Sequence, residues 1–119
     1  MVAKPWGRQE AGEPYRRINS DDAKVILEEN RGDVVIVDVR RQDEWDTGHV
    51  AGAVHIPVDD LLGRFEELPE DKELLFICAA GVRSGLAAEM AAAMGAASER
   101  LYNIEDGTPT WIAKGYPSE

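Results

Sequence analysis

The sequence is poor in the residues that build cross-linked or metal-bound domains. It has one cysteine and two histidines in 119 residues. A single cysteine excludes an intramolecular disulfide. Together with only two histidines, it is also too few for the closely spaced Cys/His set of a zinc site. We therefore expect no metal and no organic cofactor. Any special role of Cys78 depends on the thiol itself, and the alternative is a buried cysteine that packs like a small apolar side chain.

Basic residues and long apolar runs are also scarce. Asp and Glu number 23 against 13 Lys and Arg, which gives a net charge of −10. Such an acidic chain repels phosphate backbones and acidic lipid surfaces, so the charge argues against a nucleic-acid or membrane partner. No apolar run reaches the length of a membrane span, and the N-terminal residues lack the apolar core of a signal peptide. We expect a cytoplasmic protein.

What the chain does contain is typical of one folded domain. It is 44% hydrophobic and 30% charged, the composition of a soluble fold, and its length suits a single core. The first 14 residues mix proline and glycine with both signs of charge and show no sustained period. We predict a loosely held leader over residues 1–17 and the folded domain over residues 18–119.

Within the domain, short apolar runs alternate with helical patterns. The β-branched run DVVIVDV has no polar alternation, which is typical of a strand covered on both faces of a parallel sheet. Strands are predicted at YRRIN, DVVIVDV, AVHIP, KELLFIC and RLYNIE. Helices are predicted after Ser20 as N-cap, at RQDEWDTG, at VDDLLGRFEELP, from Arg83 onward and at TWIAKGYP. The third helix is expected to turn Leu61, Leu62 and Phe65 inward, and the fourth Leu86, Met90 and Ala93 or Met94. This alternation predicts an α/β fold, a mainly parallel sheet of about five strands with helices on both faces.

The stretch CAAGVRS, residues 78–84, carries the candidate chemistry. Cys78 ends a predicted strand, and ligands in open α/β sheets bind at the carboxyl ends of strands. The loop that follows is small and contains a glycine able to take positive φ, so its N–H groups can turn inward as an anion-binding cradle: Ala79, Ala80, Gly81 and Val82. Those dipoles, the helix N-terminus and Arg83 lower the pKa of a thiol placed there, which makes it a nucleophile.

Two residues of this stretch have an alternative interpretation. Ser84 caps the following helix or bonds to the sulfur, and capping is favoured. Arg83 supplies charge to the loop or is a solvated helix residue.

Three segments resemble motifs of the rhodanese family and occur in the same order as in that family. CAAGVRS is similar to that family's active-site loop, VDVRRQDEWDTGHVAGAVHIP to its upstream signature, and NIEDGTPTWIAKGYP to its C-terminal segment. The resemblance covers about residues 18–117. It implies a single-domain, rhodanese-like sulfurtransferase in which Cys78 is the nucleophile.

The resemblance also implies the chemistry. Cys78 would take a sulfane sulfur from thiosulfate or a persulfide donor, hold it as a persulfide, and pass it to cyanide, a thiol or a protein thiol. The loop from Ala79 to Ser84 would bind the donor through backbone N–H groups. The alternatives are a rhodanese-like binding or regulatory module without turnover, and a Cys-based phosphatase or arsenate reductase. Phosphatases of that kind have a wider loop, with the arginine one residue further from the cysteine.

Outside the loop, four residues are expected to support it. Asp38, Arg40 and Glu44 are interpreted as a charged scaffold and His49 as a structural residue rather than a base for Cys78. Asp106 stands where the family has a second glycine, so we expect it to take a turn conformation and to place negative charge near the site. Since the loop carries no basic side chain before Arg83, we expect a persulfide or protein-thiol donor or acceptor rather than thiosulfate.

Overall fold

A single parallel sheet organises the chain. The computed structural model describes residues 4–119, and its five strands are β1 (Arg16–Ile18), β2 (Val34–Asp38), β3 (Val54–His55), β4 (Glu73–Ile77) and β5 (Leu101–Ile104). They lie in the order β1-β5-β4-β2-β3, and every neighbouring pair is parallel. The predicted α/β fold is confirmed, and β4, which leads to Cys78, lies at the centre of the sheet.

Helices cover both faces of the sheet, as predicted. They are α1 (Ser20–Glu29), α2 (Gln42–Asp46), α3 (Leu61–Arg64), α4 (Val82–Ala93) and α5 (Gly107–Ala113), with 3₁₀ turns at Val58–Asp60, Phe65–Glu67 and Ser98–Arg100. One core cluster joins the sheet to α3 and α4, and the other joins it to α1 and α5. Among residues 4–119, no helix is long and apolar enough to cross a bilayer.

The buried face of α4 differs from the prediction in part, because Met90 packs against the core as predicted but Leu86 does not. Leu86 and Met94 are 49% and 46% exposed, while the buried positions are all small: Ser84, Gly85, Ala87, Ala88 and Ala91. Small side chains allow the helix axis to approach the sheet closely, so the contact depends on backbone proximity rather than on large apolar groups. Leu62, also predicted inward, is 57% exposed, whereas Leu61 is fully buried.

The N-terminus of α1 also differs in detail. Asn19 is the N-cap, and its side chain accepts a hydrogen bond from the backbone N–H of Asp22 at 2.8 Å. Ser20, predicted as the cap, is the first helical residue and is fully buried. Its hydroxyl donates to the carboxylate of Asp106 at 2.7 Å.

The leader is held against the domain more firmly than its composition predicts. Trp6 is only 3% exposed and its ring lies 5.2 Å from that of Tyr102. Arg8 and Arg17 exchange two backbone hydrogen bonds, at 3.0 and 2.7 Å. The expectation of a loose segment is therefore wrong for these residues, because one aromatic anchor outweighs the flexible composition around it. Residues 1–3 of the leader lie outside the described residues, and the boundary at residue 17 stays a prediction.

The Trp6 anchor is tested by Trp6→Ala. Removing a buried Trp side chain lowers the free energy of unfolding by about 3 kcal/mol, measured by urea denaturation. The control is Leu62→Ala at an exposed position, which changes it by less than about 0.5 kcal/mol. An equally small effect of Trp6→Ala would show that the leader is loosely held after all.

Candidate active site

The loop after β4 turns sharply at one glycine. Gly81 has φ +87°, a left-handed conformation, and a Cβ at this position would lie 2.6 Å from the carbonyl oxygen of Glu105. Both the dihedral angle and the close approach require glycine. The turn is also the N-cap position of α4, which begins at Val82. The chain therefore passes from the end of a central strand into a helix within four residues, and Cys78 stands where the turn begins.

Cys78 lies inside this turn and is hydrogen-bonded. The residue is 1% exposed, the N–H of Gly81 donates to Sγ at 3.2 Å, and the Ser84 hydroxyl lies 3.3 Å from Sγ. Burial raises the pKa of the thiol, but the hydrogen bonds of the Ser84 side chain and of the N–H groups of Ser84, Ala80 and Gly81 outweigh it. The pKa of Cys78 is therefore lowered, and the thiolate is favoured by dipoles rather than by a neighbouring full charge.

Ser84 contacts the sulfur, and the predicted capping role is wrong. Gly81 occupies the N-cap position, and Ser84 lies inside the first turn of α4. The Ser84 hydroxyl also donates to Oδ1 of Asn103 at 2.6 Å. Asn103, which is 1% exposed in β5, was not among the predicted site residues. The sequence signal for it is an asparagine within the otherwise apolar strand LYNI.

Arg83 is paired with Glu44 across the site. Its two terminal nitrogens donate to the two carboxylate oxygens at 2.6 and 2.9 Å. The Arg83 hydrogen bond holds the pKa of Glu44 at about 2, against the effect of burial. The pKa of Arg83 is raised, chiefly by the Glu44 hydrogen bond, and the charge of Cys78 adds to this. Arg83 is thus not a free solvated residue, and its positive charge is shared between Glu44 and the loop.

Asp38 and Arg40 form a separate buried ion pair. Arg40 Nη2 donates to Asp38 Oδ2 at 2.8 Å and to the carbonyl of Gly48 at 2.8 Å. These bonds hold the segment that joins β2 to α2. Because α2 carries Glu44, which pairs with Arg83, they act on the loop indirectly. The scaffold role of this pair stays a prediction.

His49 is likewise occupied away from the sulfur. Its Nδ1 lies 2.9 Å from the carbonyl oxygen of Trp45, and its ring stacks on the Trp45 ring with centroids 3.4 Å apart. This geometry fits the structural role that we expected for His49 rather than that of a base.

The turn before α5 anchors the loop from the other side. The N–H of Thr108 donates to the carbonyl of Cys78 at 2.8 Å. Gly107 has φ +77°, and a Cβ there would lie 2.0 Å from the Ala79 carbonyl oxygen. The special turn conformation is therefore at Gly107, whereas Asp106, for which it was predicted, has an ordinary φ of −91°. The Asp106 carboxylate accepts bonds from the N–H and hydroxyl of Ser20, at the start of α1.

A groove of about 470 Å³ borders the loop on the side of α4 and the leader. Its walls include Gly81, Val82 and Leu86, and Val82 is 80% exposed. It offers room beside the cradle for a reaction partner. Over residues 4–119, no group of His, Cys, Asp and Glu side chains is arranged to hold a metal ion.

Comparison with known proteins identifies the class. Residues 21–114 match the family model of the rhodanese-like domain, and the chain belongs to this family. It is 32% identical over 85 residues to the putative sulfurtransferase YtwF of Bacillus subtilis, covering 71% of this chain and 80% of that protein. It is 29% identical over 99 residues to the thiosulfate sulfurtransferase GlpE of Coxiella burnetii, covering 83% and 89%.

A solved structure shows the same fold. The rhodanese-related protein of Thermoplasma volcanium superposes with a TM-score of 0.70 at 33% identity, over 88% of this chain and 98% of that one. Other curated relatives are longer, and the chain spans only 42%, 47% and 61% of three of them.

Ionisation of Cys78 is directly measurable because it is the chain's one cysteine. Thiolate formation, followed by ultraviolet absorbance against pH with Cys78→Ser as the blank, has its midpoint below that of an ordinary thiol, about pH 8.5. In Ser84→Ala the midpoint rises, because a hydrogen bond to the thiolate is lost and less of the ionised form is present at a given pH. A midpoint that is the same in both proteins would contradict the contribution of Ser84.

Proposed function

We propose that the protein is a sulfurtransferase that carries a sulfane sulfur as a persulfide on Cys78. The supporting observation is the thiol itself, enclosed at the end of a central strand with Gly81 N–H and the Ser84 hydroxyl on its sulfur. Family membership and the names of the two sulfurtransferase relatives support the same chemistry. A cytoplasmic location, where thiols are kept reduced, belongs to this proposal.

The first half-reaction is a displacement at sulfur. The thiolate of Cys78 attacks the sulfane sulfur of the donor and forms a new S–S bond. The donor's own bond to that sulfur breaks, and the leaving group keeps the electron pair, as sulfite from thiosulfate or as a thiolate from a persulfide. No external oxidant or reductant is needed, because the sulfur arrives already in the required oxidation state.

The second half-reaction returns the enzyme to its starting form. A thiolate or cyanide attacks the outer sulfur of the persulfide, and the Cys78 thiolate departs with the electron pair of the broken bond. The N–H groups that lower the pKa of Cys78 also stabilise it as this leaving group. One set of donors therefore serves both halves of the reaction.

The charge around the loop bears on the choice of donor. Ala79, Ala80 and Val82 bring no positive charge to the loop, and Arg83 is shared with Glu44 in a chain of net charge −10. Thiosulfate is a dianion, so its binding would rest mainly on backbone dipoles. We propose a persulfide, small or on a protein, as the preferred donor and a thiol or protein thiol as the acceptor. The name of the Coxiella burnetii relative supports thiosulfate as a donor that is also used.

A phosphatase or arsenate reductase fits the site less well. Only four residues separate Cys78 from Arg83, one fewer than in the loop of Cys-based phosphatases. Ester hydrolysis also needs a general acid for the leaving group. Glu44, the carboxyl group paired with Arg83, has a pKa of about 2 and is ionised at neutral pH, so it cannot supply a proton. A binding module without turnover would not need a thiol of lowered pKa.

The proposal is tested by intact-protein mass spectrometry after exposure to thiosulfate and, separately, to cysteamine persulfide, which carries no net charge at neutral pH. We expect wild type to gain one sulfur atom that dithiothreitol removes, and cysteamine persulfide to load it faster than thiosulfate at equal concentration. The matched control is Cys78→Ser, which keeps the side-chain shape but gains nothing. Sulfur must then leave the loaded protein on addition of cyanide or a thiol.

Two outcomes would count against the proposal. Folded wild type that gains no sulfur from either donor would overturn the sulfurtransferase function. Faster loading from thiosulfate than from cysteamine persulfide would overturn the donor preference and leave the function intact.

A further inference from the structure

Asn103 lies at the back of the active site without facing the groove. It is in β5, the strand next to β4, and its side chain is on the face covered by α4. The residue is 1% exposed, and both ends of its amide are hydrogen-bonded to the loop and helix that enclose Cys78. A buried amide with two such partners is well placed to act on the sulfur through its neighbours.

The orientation of the Asn103 amide follows from its partners. Nδ2 lies 3.0 Å from the carbonyl oxygen of Gly81. A carbonyl oxygen only accepts hydrogen bonds, so the NH₂ end must face Gly81 and the oxygen end must face Ser84. The same Gly81 carbonyl also accepts the N–H of Gly85 at 3.2 Å. Asn103 thus binds the carbonyl group of Gly81, the residue whose N–H donates to the sulfur.

The Ser84 hydroxyl consequently has two acceptors and one proton. Asn103 Oδ1 is 2.6 Å from Ser84 Oγ, and Cys78 Sγ is 3.3 Å from it. In the thiol form every group is satisfied, because S–H donates to Ser84 Oγ and the Ser84 hydroxyl donates to Asn103. In the thiolate form the sulfur has no proton to give and itself becomes an acceptor, so Asn103 and the sulfur compete for the hydroxyl proton.

We propose that Asn103 is a positioning residue of the active site, which sets the direction of the Ser84 hydroxyl and holds the Gly81 carbonyl in place. Ionisation releases the thiol proton to solvent and turns the Ser84 hydroxyl from Asn103 to the sulfur. Asn103 Oδ1 is then a buried acceptor without that donor, which is unfavourable. Asn103 therefore stabilises the resting thiol and limits how far Ser84 favours the nucleophile.

Gly85 in α4 leaves room for the Asn103 side-chain amide. A Cβ at Gly85 would lie 3.3 Å from Asn103 Nδ2 and 3.0 Å from the hydroxyl of Tyr15. Glycine in the interior of a helix costs stability relative to alanine. Here it leaves the space through which Asn103 reaches the loop.

The inference rests on the proposed role of Cys78 as nucleophile, but its test reads the ionisation of the thiol and needs no sulfur transfer. Thiolate absorbance is titrated in wild type, Asn103→Leu, Ser84→Ala and the double variant. Leucine has the same branched arrangement of heavy atoms as asparagine but cannot accept the hydroxyl proton. Asn103→Leu also removes the bond to the Gly81 carbonyl, and its effect in the Ser84→Ala background reports that loss alone. We expect the midpoint of Asn103→Leu to be lower when Ser84 is present than this effect predicts, because the hydroxyl is then free for the sulfur.

The control is Tyr102→Phe, which removes a hydroxyl from the neighbouring residue of β5 that bonds to the Glu99 carbonyl. Its midpoint should equal that of wild type. An equal shift by Asn103→Leu in both backgrounds, or a shift to higher pH that is larger with Ser84 present than with Ser84→Ala, would overturn the inference. A protein that shows the expected coupling but takes up no sulfur would overturn the proposed function and leave the inference standing.

A second measurement uses wild type alone, for the case in which Asn103→Leu does not fold. The side-chain carbonyl carbon of Asn103, followed by NMR against pH, should change its chemical shift at the thiolate midpoint, because it loses the Ser84 proton there. A shift that stays constant through the midpoint would overturn the inference.

Discussion

The left-handed turn at Gly81 is the constraint on which the site depends. It points one N–H at the sulfur of Cys78 and brings the loop against the Glu105 carbonyl, where no side chain fits. The same turn starts α4, so the helix carries Ser84 back over the sulfur. A side chain at Gly81 would move the N–H donor, the helix start and Ser84 together, since the dihedral angles of this one residue set all three.

The positive charge of Arg83 is less available to the loop than the sequence suggests. Arg83 is the loop's one cation, yet Glu44 binds both of its terminal nitrogens. The pair leaves little net charge beside the sulfur, and neutral dipoles from the backbone and Ser84 supply most of the stabilisation of the thiolate. Such a site stabilises one negative charge on sulfur without attracting anions strongly. This is the physical basis of the proposed preference for a persulfide over thiosulfate as donor.

Sequence patterns predicted the parts of this structure that depend on local chemistry. The β-branched runs, the glycine able to take positive φ at position 81 and the position of Cys78 at the end of a strand all follow from residue type and spacing. Contacts between distant segments could not be predicted in the same way. Ser84 was interpreted as a cap because its partner, Asn103, lies 19 positions away, and nothing local marks the Trp6 anchor. The close approach of α4 depends on the summed size of five small side chains, which a search for large apolar residues overlooks.

The central claim is that backbone N–H groups hold the negative charge of the Cys78 sulfur. The most direct measurement is the amide proton chemical shift of Gly81, followed by NMR while Cys78 is titrated. The account predicts a downfield movement whose midpoint coincides with that of the thiolate absorbance, because the hydrogen bond strengthens as the acceptor becomes charged. A Gly81 amide resonance that does not move while the thiol ionises would contradict it.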